Sequence, residues 1–327
     1  MKQTMSTLLE MDYEQSIKEI AESTRKALQA KLKRRGLVVA ISGGIDSSVS
    51  AALAVNAVGK DKVFGLLLPE HDSADSSLSN GELLAQHLGI KYLKVDIAPT
   101  LEAIGCYAWR DDAIRTLFPD YQASWKNKIA IQGGLEGKIN SFKLIVENPE
   151  GQQFEEHMPL NAYRTIVAAT SYKQRIRKTV EYFHADRLNY AVVGTPNRLE
   201  YDQGFFVKNG DGSADIKLIA HLYKTQVYAL AKHLELPEVI CDAIPSTDTY
   251  SLEQGQDEFY FSLPYQEMDV ALWCYCNAKP VEVLAEYLEI DIEHAGYIYK
   301  DIENKRKATR YLHLRPVLIE DVNIDLP

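Results

Sequence analysis

The segment Ser42-Gly43-Gly44-Ile45-Asp46-Ser47-Ser48 joins small residues, hydroxyls and one carboxylate directly after an apolar run at 37–41. Two glycines let a backbone turn tightly and approach a ligand. The serine hydroxyls add donors, and a helix opening at that turn aims its free N–H groups at an anion. That is phosphate chemistry. The string is not a Walker loop, because no Gly-Lys-Ser/Thr follows a four-residue spacer, and G-x-G-x-x-G is absent. Asp46 stands where a P-loop places lysine. A carboxylate beside phosphates makes sense if it holds a divalent cation, so the segment predicts a site for magnesium nucleotide. Taken alone, the same residues also describe an ordinary strand-to-helix turn with Ser and Asp caps.

A second group of chemical residues lies in the long polar stretch 194–215. Glu200 can share a cation with Asp46, leaving the other coordination positions to phosphates and water. Asp211 and Asp215 sit among glycines, where Asx turns account for them as well as hydroxyl orientation or a second metal does. Lys224 opens a helix, which would bring its ammonium to phosphate oxygens. The charged segments 173–177, 245–248 and 304–307 read singly as solvent faces. Cys274-x-Cys276 has no second Cys/His pair at metal-ligand spacing, so two helix cysteines are expected there.

These residues need elements to hold them. Helical spacing at 17–32, stopped by Gly36, leads into strand 37–41, helix 47–58, strand 62–68, helix 79–88 and strand 91–95. Near-continuous apolar strands in βαβαβ order predict an α/β fold, a doubly wound parallel sheet covered on both faces, with ligands at the strands' carboxyl ends. Regularity breaks over 105–160, which is read as an inserted subregion containing a hairpin, 142–146 and 153–158, turning at Asn148-Pro149-Glu150-Gly151. Helix 162–184, strand 190–193 and a helical C-terminal part (223–234, 237–241, 265–276, 281–288, 292–310) complete one domain spanning 1–327.

The chain has 327 residues, 46% of them hydrophobic, and a net charge of −10. That balance argues against nucleic acid and membrane surfaces and favours small anionic partners. No apolar run is long enough to span a bilayer, the first residues are polar, and four scattered cysteines are too few for a disulfide framework, so a cytoplasmic protein is expected.

In this order, the segments resemble the ammonia-dependent NAD synthetase family of the N-type ATP pyrophosphatases, with their adenine nucleotide alpha hydrolase-like fold. The most specific parts are Ser42 to Ser47, Gly-Thr-x-Asn-x-x-Glu from Gly194, Gly-Phe-Phe-x-Lys-x-Gly-Asp-Gly-x-x-Asp from Gly204, and Leu222-Tyr223-Lys224-Thr225-Gln226-Val227. The resemblance implies that ATP adenylates the nicotinate carboxylate of deamido-NAD, pyrophosphate leaving in the loop, and that ammonia then displaces AMP to give NAD. It implies catalytic roles for Asp46, Asp211 and Lys224, and magnesium on Asp46 and Glu200. ATP would meet Ser42, Gly43, Gly44, Asp46, Ser47, Arg175, Thr195, Lys224 and Ser246, with 245–262 as a lid ordered by ATP. The substrate would meet Phe205, Phe206, Lys208, Asp215, Asn304 and Lys305, with Lys173, Arg175 and Lys305 supplying positive field. A homodimer burying deamido-NAD is implied, and 327 residues leave no room for a glutaminase domain, so nitrogen is expected as free ammonia or from a separate donor protein.

Three segments depart from the family pattern, all on the acceptor side: Ser171 to Lys178 replaces Asn-x-x-Ala-Arg-x-Arg-Met, Leu218 replaces a proline, and Asn304 replaces a histidine. They leave room for a ligase of the same family that amidates another carboxylic acid. A nucleotide-binding regulator without turnover is the reading from a different class, opposed by the joint presence of Asp46, Glu200, Asp211 and Lys224. A tRNA-thiolating pyrophosphatase is opposed by the acidic charge and the lack of C-x-x-C.

Overall fold

Leu37–Ala40 (β1) and Val63–Leu67 (β2) are runs of apolar residues with no polar alternation, and in the computed structural model they are buried on both faces of a sheet. The structure describes residues 8–132, 141–243, 250–252, 255, 260, 261 and 263–322. Helix α1 (Tyr13–Lys26) is capped by Asp12, whose carboxylate accepts from Gln15 N at 2.9 Å, and continues as a wider π turn, Ala27–Leu32. After β1 come α2 (Ile45–Val58), β2, α3 (Asp75–His87) and β3 (Lys91–Lys94). Helix α2 starts two residues before the sequence expectation and α3 four residues before. In both, residues that read as loop can take helical geometry once the preceding strand holds the turn.

Next are α4 (Ala98–Ala103), α5 (Cys106–Arg115), β4 (Lys126–Gln132), β5 (Ser141–Glu147), β6 (Gln153–His157) and the long α6 (Leu160–Leu188). The expected hairpin is present as β5 and β6. A third strand, β4, pairs antiparallel with β5, so the stretch forms a small sheet of its own, in order β4-β5-β6. The chain returns through β7 (Ala191–Gly194), α7 (Arg198–Gln203) and β8 (Ile216–Lys217), then α8 (Lys224–His233), α9 (Glu238–Cys241), α10 (Tyr265–Cys276), α11 (Val281–Leu288) and α12 (Ile292–His313). β8 falls in the stretch that reads as loop. Two residues are too short for any periodic signal, and only pairing with β7 makes them a strand.

The main sheet runs β3-β2-β1-β7-β8, every neighbouring pair parallel. Strand order therefore reverses between β1 and β7, the position at which a parallel sheet of this kind opens a crevice at its carboxyl ends. One apolar core, including Val39, Val49, Leu53, Val193, Val227 and Leu230, lies on the α1, α2 and α8 face; another, including Val38, Leu66, Leu101 and Ala169, lies on the α6 face. A third core ties α7 to the C-terminal helices through Leu199, Met268, Leu272, Leu284, Ile298 and Ile302. Among the described residues no helix is long and apolar enough to cross a membrane.

Candidate active site

The turn after β1 requires its glycines. Gly43 has φ +81°, and a Cβ there would lie 2.2 Å from the Ser77 carbonyl oxygen of α3. The turn is held internally: Ser42 N donates to Ser47 Oγ at 3.2 Å, while the hydroxyls of Ser47 and Ser48 donate to the Gly44 carbonyl at 3.0 and 2.8 Å. Gly44, the residue before α2, offers no side-chain cap. The first N–H groups of a helix start are therefore directed at the crevice, the arrangement that binds anions.

Asp46, in the first turn of α2, forms an ion pair with Lys224 and accepts from Asn197 Nδ2 at 3.1 Å on its other oxygen. Asn197 follows β7 and caps α7 in a reciprocal box: its side chain accepts from Glu200 N at 3.2 Å, and its own N–H donates to the Glu200 carboxylate at 3.1 Å. One buried asparagine thus links the two carboxylates expected to share a cation. Burial of Lys224 works against its charge, but Asp46 and Glu200 outweigh that cost and hold its pKa above the ordinary lysine range. Four residues from three chain segments meet at the crevice between β1 and β7.

Asn197 was legible in part, because Asn-x-x-Glu directly after a buried strand is a helix-capping pattern. Asp269 was not. Fully buried on α10, it accepts from Lys224 N at 3.2 Å and from the N–H and hydroxyl of Thr225, both at 2.6 Å. Burial pushes its pKa up to about 7 against the pull of those donors.

The glycine-rich loop forms a second group. Gly204, in the left-handed region at φ +74°, ends α7 and packs against Thr309, which a Cβ would approach to 2.3 Å. Asp211 accepts from Val207 N at 2.7 Å beside Lys178, Glu181 and Lys217, and burial raises its pKa. Asp215 accepts from Val192 N at 2.8 Å and from the Tyr182 hydroxyl. Phe205 stacks on Tyr260 at 4.7 Å and Phe206 on Tyr201 at 6.1 Å, so both rings have aromatic partners within the chain. Lys208 donates to the carbonyls of Tyr311 and Leu314 at the end of α12, and exposed Arg175 donates to the Lys208 carbonyl at 3.2 Å. Lys305 pairs with Asp301 at 2.6 Å, Asn304 is exposed on the same helix, and Thr195 is half-buried after β7.

Lys173 differs from its expected role as a field-supplying cation. It is buried, paired with Asp72 and, at 3.1 Å, with Glu70. Arg110 adds a 2.5 Å pair to Asp72, and the Tyr107 hydroxyl donates to Glu70 at 2.8 Å. A basic run on α6 reads as solvated or ligand-facing until the tertiary fold places two carboxylates against it. Ser246 and most of the expected lid at 245–262 lie outside the described residues.

Asp46 and Glu200 fit a magnesium ion by the chemistry of their donors: two carboxylates with hard oxygens, beside a turn whose N–H groups suit a phosphate that would bring further oxygens with it. No cluster of three metal-ligating side chains occurs among the described residues.

The parallel sheet and its switch point define an α/β protein with the adenine nucleotide alpha hydrolase-like fold. The same fold is seen in an NMN synthetase from Francisella tularensis (TM-score 0.63, 22% identity, 94% of this chain and 100% of that one). It is seen also in an NH3-dependent NAD synthetase from Campylobacter jejuni, solved with the nitrate ion (TM-score 0.60, 21% identity, 95% and 100%). A family model described as NAD synthase matches residues 16–114 and 135–311, and the chain belongs to that family. An NH(3)-dependent NAD(+) synthetase of Rhizobium meliloti is 54% identical over 312 residues, covering 94% of this chain and 93% of the relative. One of Mesorhizobium japonicum is 49% identical over 319 residues, covering 97% and 100%.

Proposed function

We propose that this chain is an ammonia-dependent NAD synthetase that adenylates the nicotinate carboxylate of deamido-NAD with ATP and converts the acyl-adenylate to NAD. The observation that carries the reading is the convergence of Asp46, Asn197, Glu200 and Lys224 beside an open helix start at the switch point.

The substrate carboxylate attacks the α-phosphorus of ATP, and the bond to pyrophosphate breaks. Negative charge grows on the departing group, where the N–H groups at the start of α2, the hydroxyls of Ser42 and Ser47, and the Lys224 ammonium stabilise it without a covalent enzyme intermediate. Without nucleotide, Lys224 and Asp46 neutralise each other. With nucleotide, Lys224 is freed to meet phosphate oxygens, and Asp46 with Glu200 would hold a magnesium ion, which would supply neutralisation of phosphate charge. Ammonia then attacks the acyl carbon, AMP leaves with the bonding pair, and the ammonium intermediate loses a proton.

The reading assigns Asp211 to the neighbourhood of the transferred group, where a carboxyl with a raised pKa is suited to proton transfer. It assigns Arg175, Thr195 and Ser246 to ATP, and Phe205, Phe206, Lys208, Asp215, Asn304 and Lys305 to the acceptor. It treats 1–327 as one synthetase domain with 105–160 as an inserted subregion, and the protein as a cytosolic homodimer.

The test supplies ATP, magnesium chloride and ammonium chloride with deamido-NAD, following AMP, pyrophosphate and NAD together. One AMP per NAD is expected. ADP as primary product would remove the adenylation chemistry, whereas AMP release with another acid but not with deamido-NAD would move the enzyme to a different acceptor.

A further inference from the structure

We propose that Asp269 is a positioning residue, a helix cap delivered from α10 that fixes where α8 begins and so where the Lys224 ammonium stands; this rests on the reading of Lys224 as a phosphate-contacting group. The first turn of a helix leaves N–H groups without intrahelical partners, and the residue before it normally supplies an acceptor. Here that residue is Tyr223. Gln226 covers the Tyr223 N–H at 2.9 Å, but the N–H groups of Lys224 and Thr225 go to Asp269, which lies more than forty residues downstream.

The carboxylate is costly where it stands. It is fully buried, and its chain neighbours Met268, Val270, Ala271 and Leu272 all pack into the core. Leaving an acidic group there serves a purpose only if its donors matter, and all three belong to the turn carrying Lys224. The helix start is also the positive end of the α8 dipole, so the carboxylate complements it. Lysine ends in a flexible four-carbon stem. An anchored Cα, a buried stem and Asp46 at the tip together leave the ammonium little freedom. The same contact ties the C-terminal helices to the crevice, since Asp269 belongs to α10 and Asp46 to α2.

The test is a double-mutant cycle read in steady-state NAD formation, with wild type, Asp269→Asn, Lys224→Met and the double variant. Asp269→Asn should lower kcat about tenfold or more, because small misplacement of a reacting group is costly, with KM for deamido-NAD held within about twofold. In the Lys224→Met background it should cause no further loss, since groups acting through one another are non-additive. Amide hydrogen exchange should lose protection at Lys224 and Thr225 alone. If Asp269→Asn will not fold, Thr225→Val removes a single donor and should give a loss of about threefold that Lys224→Met also masks. Multiplicative losses, or an unchanged kcat, would overturn the proposal. A wild type that forms no NAD would instead overturn the functional reading, and hydrogen exchange would still decide the cap: unchanged protection in Asp269→Asn would sink it.

Discussion

Two buried charge groups flank the crevice and are built oppositely. On the β2 side, Glu70, Asp72, Lys173 and Arg110 form a closed network in which each charge is paired and Tyr107 completes Glu70. On the β7 side, Asp46 and Lys224 form a pair at the edge of an open helix start, with Asn197 on the remaining Asp46 oxygen. Charges paired with one another in this way brace the loop after β2 against α5 and α6. A pair beside unfilled N–H donors can exchange partners when a phosphate and a cation arrive. Buried charge alone therefore does not mark the chemistry.

The largest expected effect breaks the closed network. Lys173→Met leaves two buried carboxylates short of a partner and should cost about 3 kcal/mol of unfolding free energy, the low end for a broken buried pair, because Arg110 and Tyr107 remain. Folded enzyme should keep its kcat within about threefold, as expected of a group that touches no substrate. Denaturant titration and steady-state kinetics on the same preparation check both halves, and a folded variant without activity would make the network part of the site.

The mirror experiment is Asp46→Asn, with Glu200→Gln beside it. Each should lower kcat roughly a hundredfold or more, about 2.7 kcal/mol of transition-state stabilisation. Asn keeps an oxygen for the Asn197 amide, so circular dichroism and the urea midpoint should move much less than for Lys173→Met. Near wild-type turnover at saturating magnesium would remove that carboxylate from its assigned role.

The pH dependence separates the two regions by its sign. Burial raises the Asp72 carboxyl pKa, but Lys173 and Arg110 outweigh burial and set it below the usual aspartate range. Its contribution to stability is present above the unfolded value near 3.8 and is lost as pH falls through the folded one. Asp269 is the reverse: raised by burial to about 7, it contributes fully below 3.8 and loses that contribution as pH rises through 7. The groups facing it are Lys224 and Tyr223 at the start of α8 and Tyr265 on its own helix. Urea unfolding across pH 4 to 7 should show a downward slope component in wild type that Asp269→Asn lacks, whereas Asp72→Asn should lower stability at every pH above about 4 and flatten only the acid limb.

The sequence by itself determined the parallel sheet, the phosphate turn and the family, because each is written in short-range terms. Apolar runs at 37–41 and 63–68, small residues at 42–48 and the Asn-x-x-Glu motif at 197–200 depend on neighbours a few positions away. Gly43 is such a case: a turn that needs positive φ favours glycine. Only the tertiary structure decided which charges work and which brace. Lys173 and Lys224 are both lysines at helix positions, yet the folded chain sets Lys173 between Glu70 and Asp72, and Lys224 between Asp46 and the Asp269 cap. β8 likewise exists only through pairing with β7. Partners roughly a hundred or more residues away, as for Lys173 with Glu70 and Asp46 with Lys224, leave no periodic trace, because their interaction energy is realised only when the chain has folded.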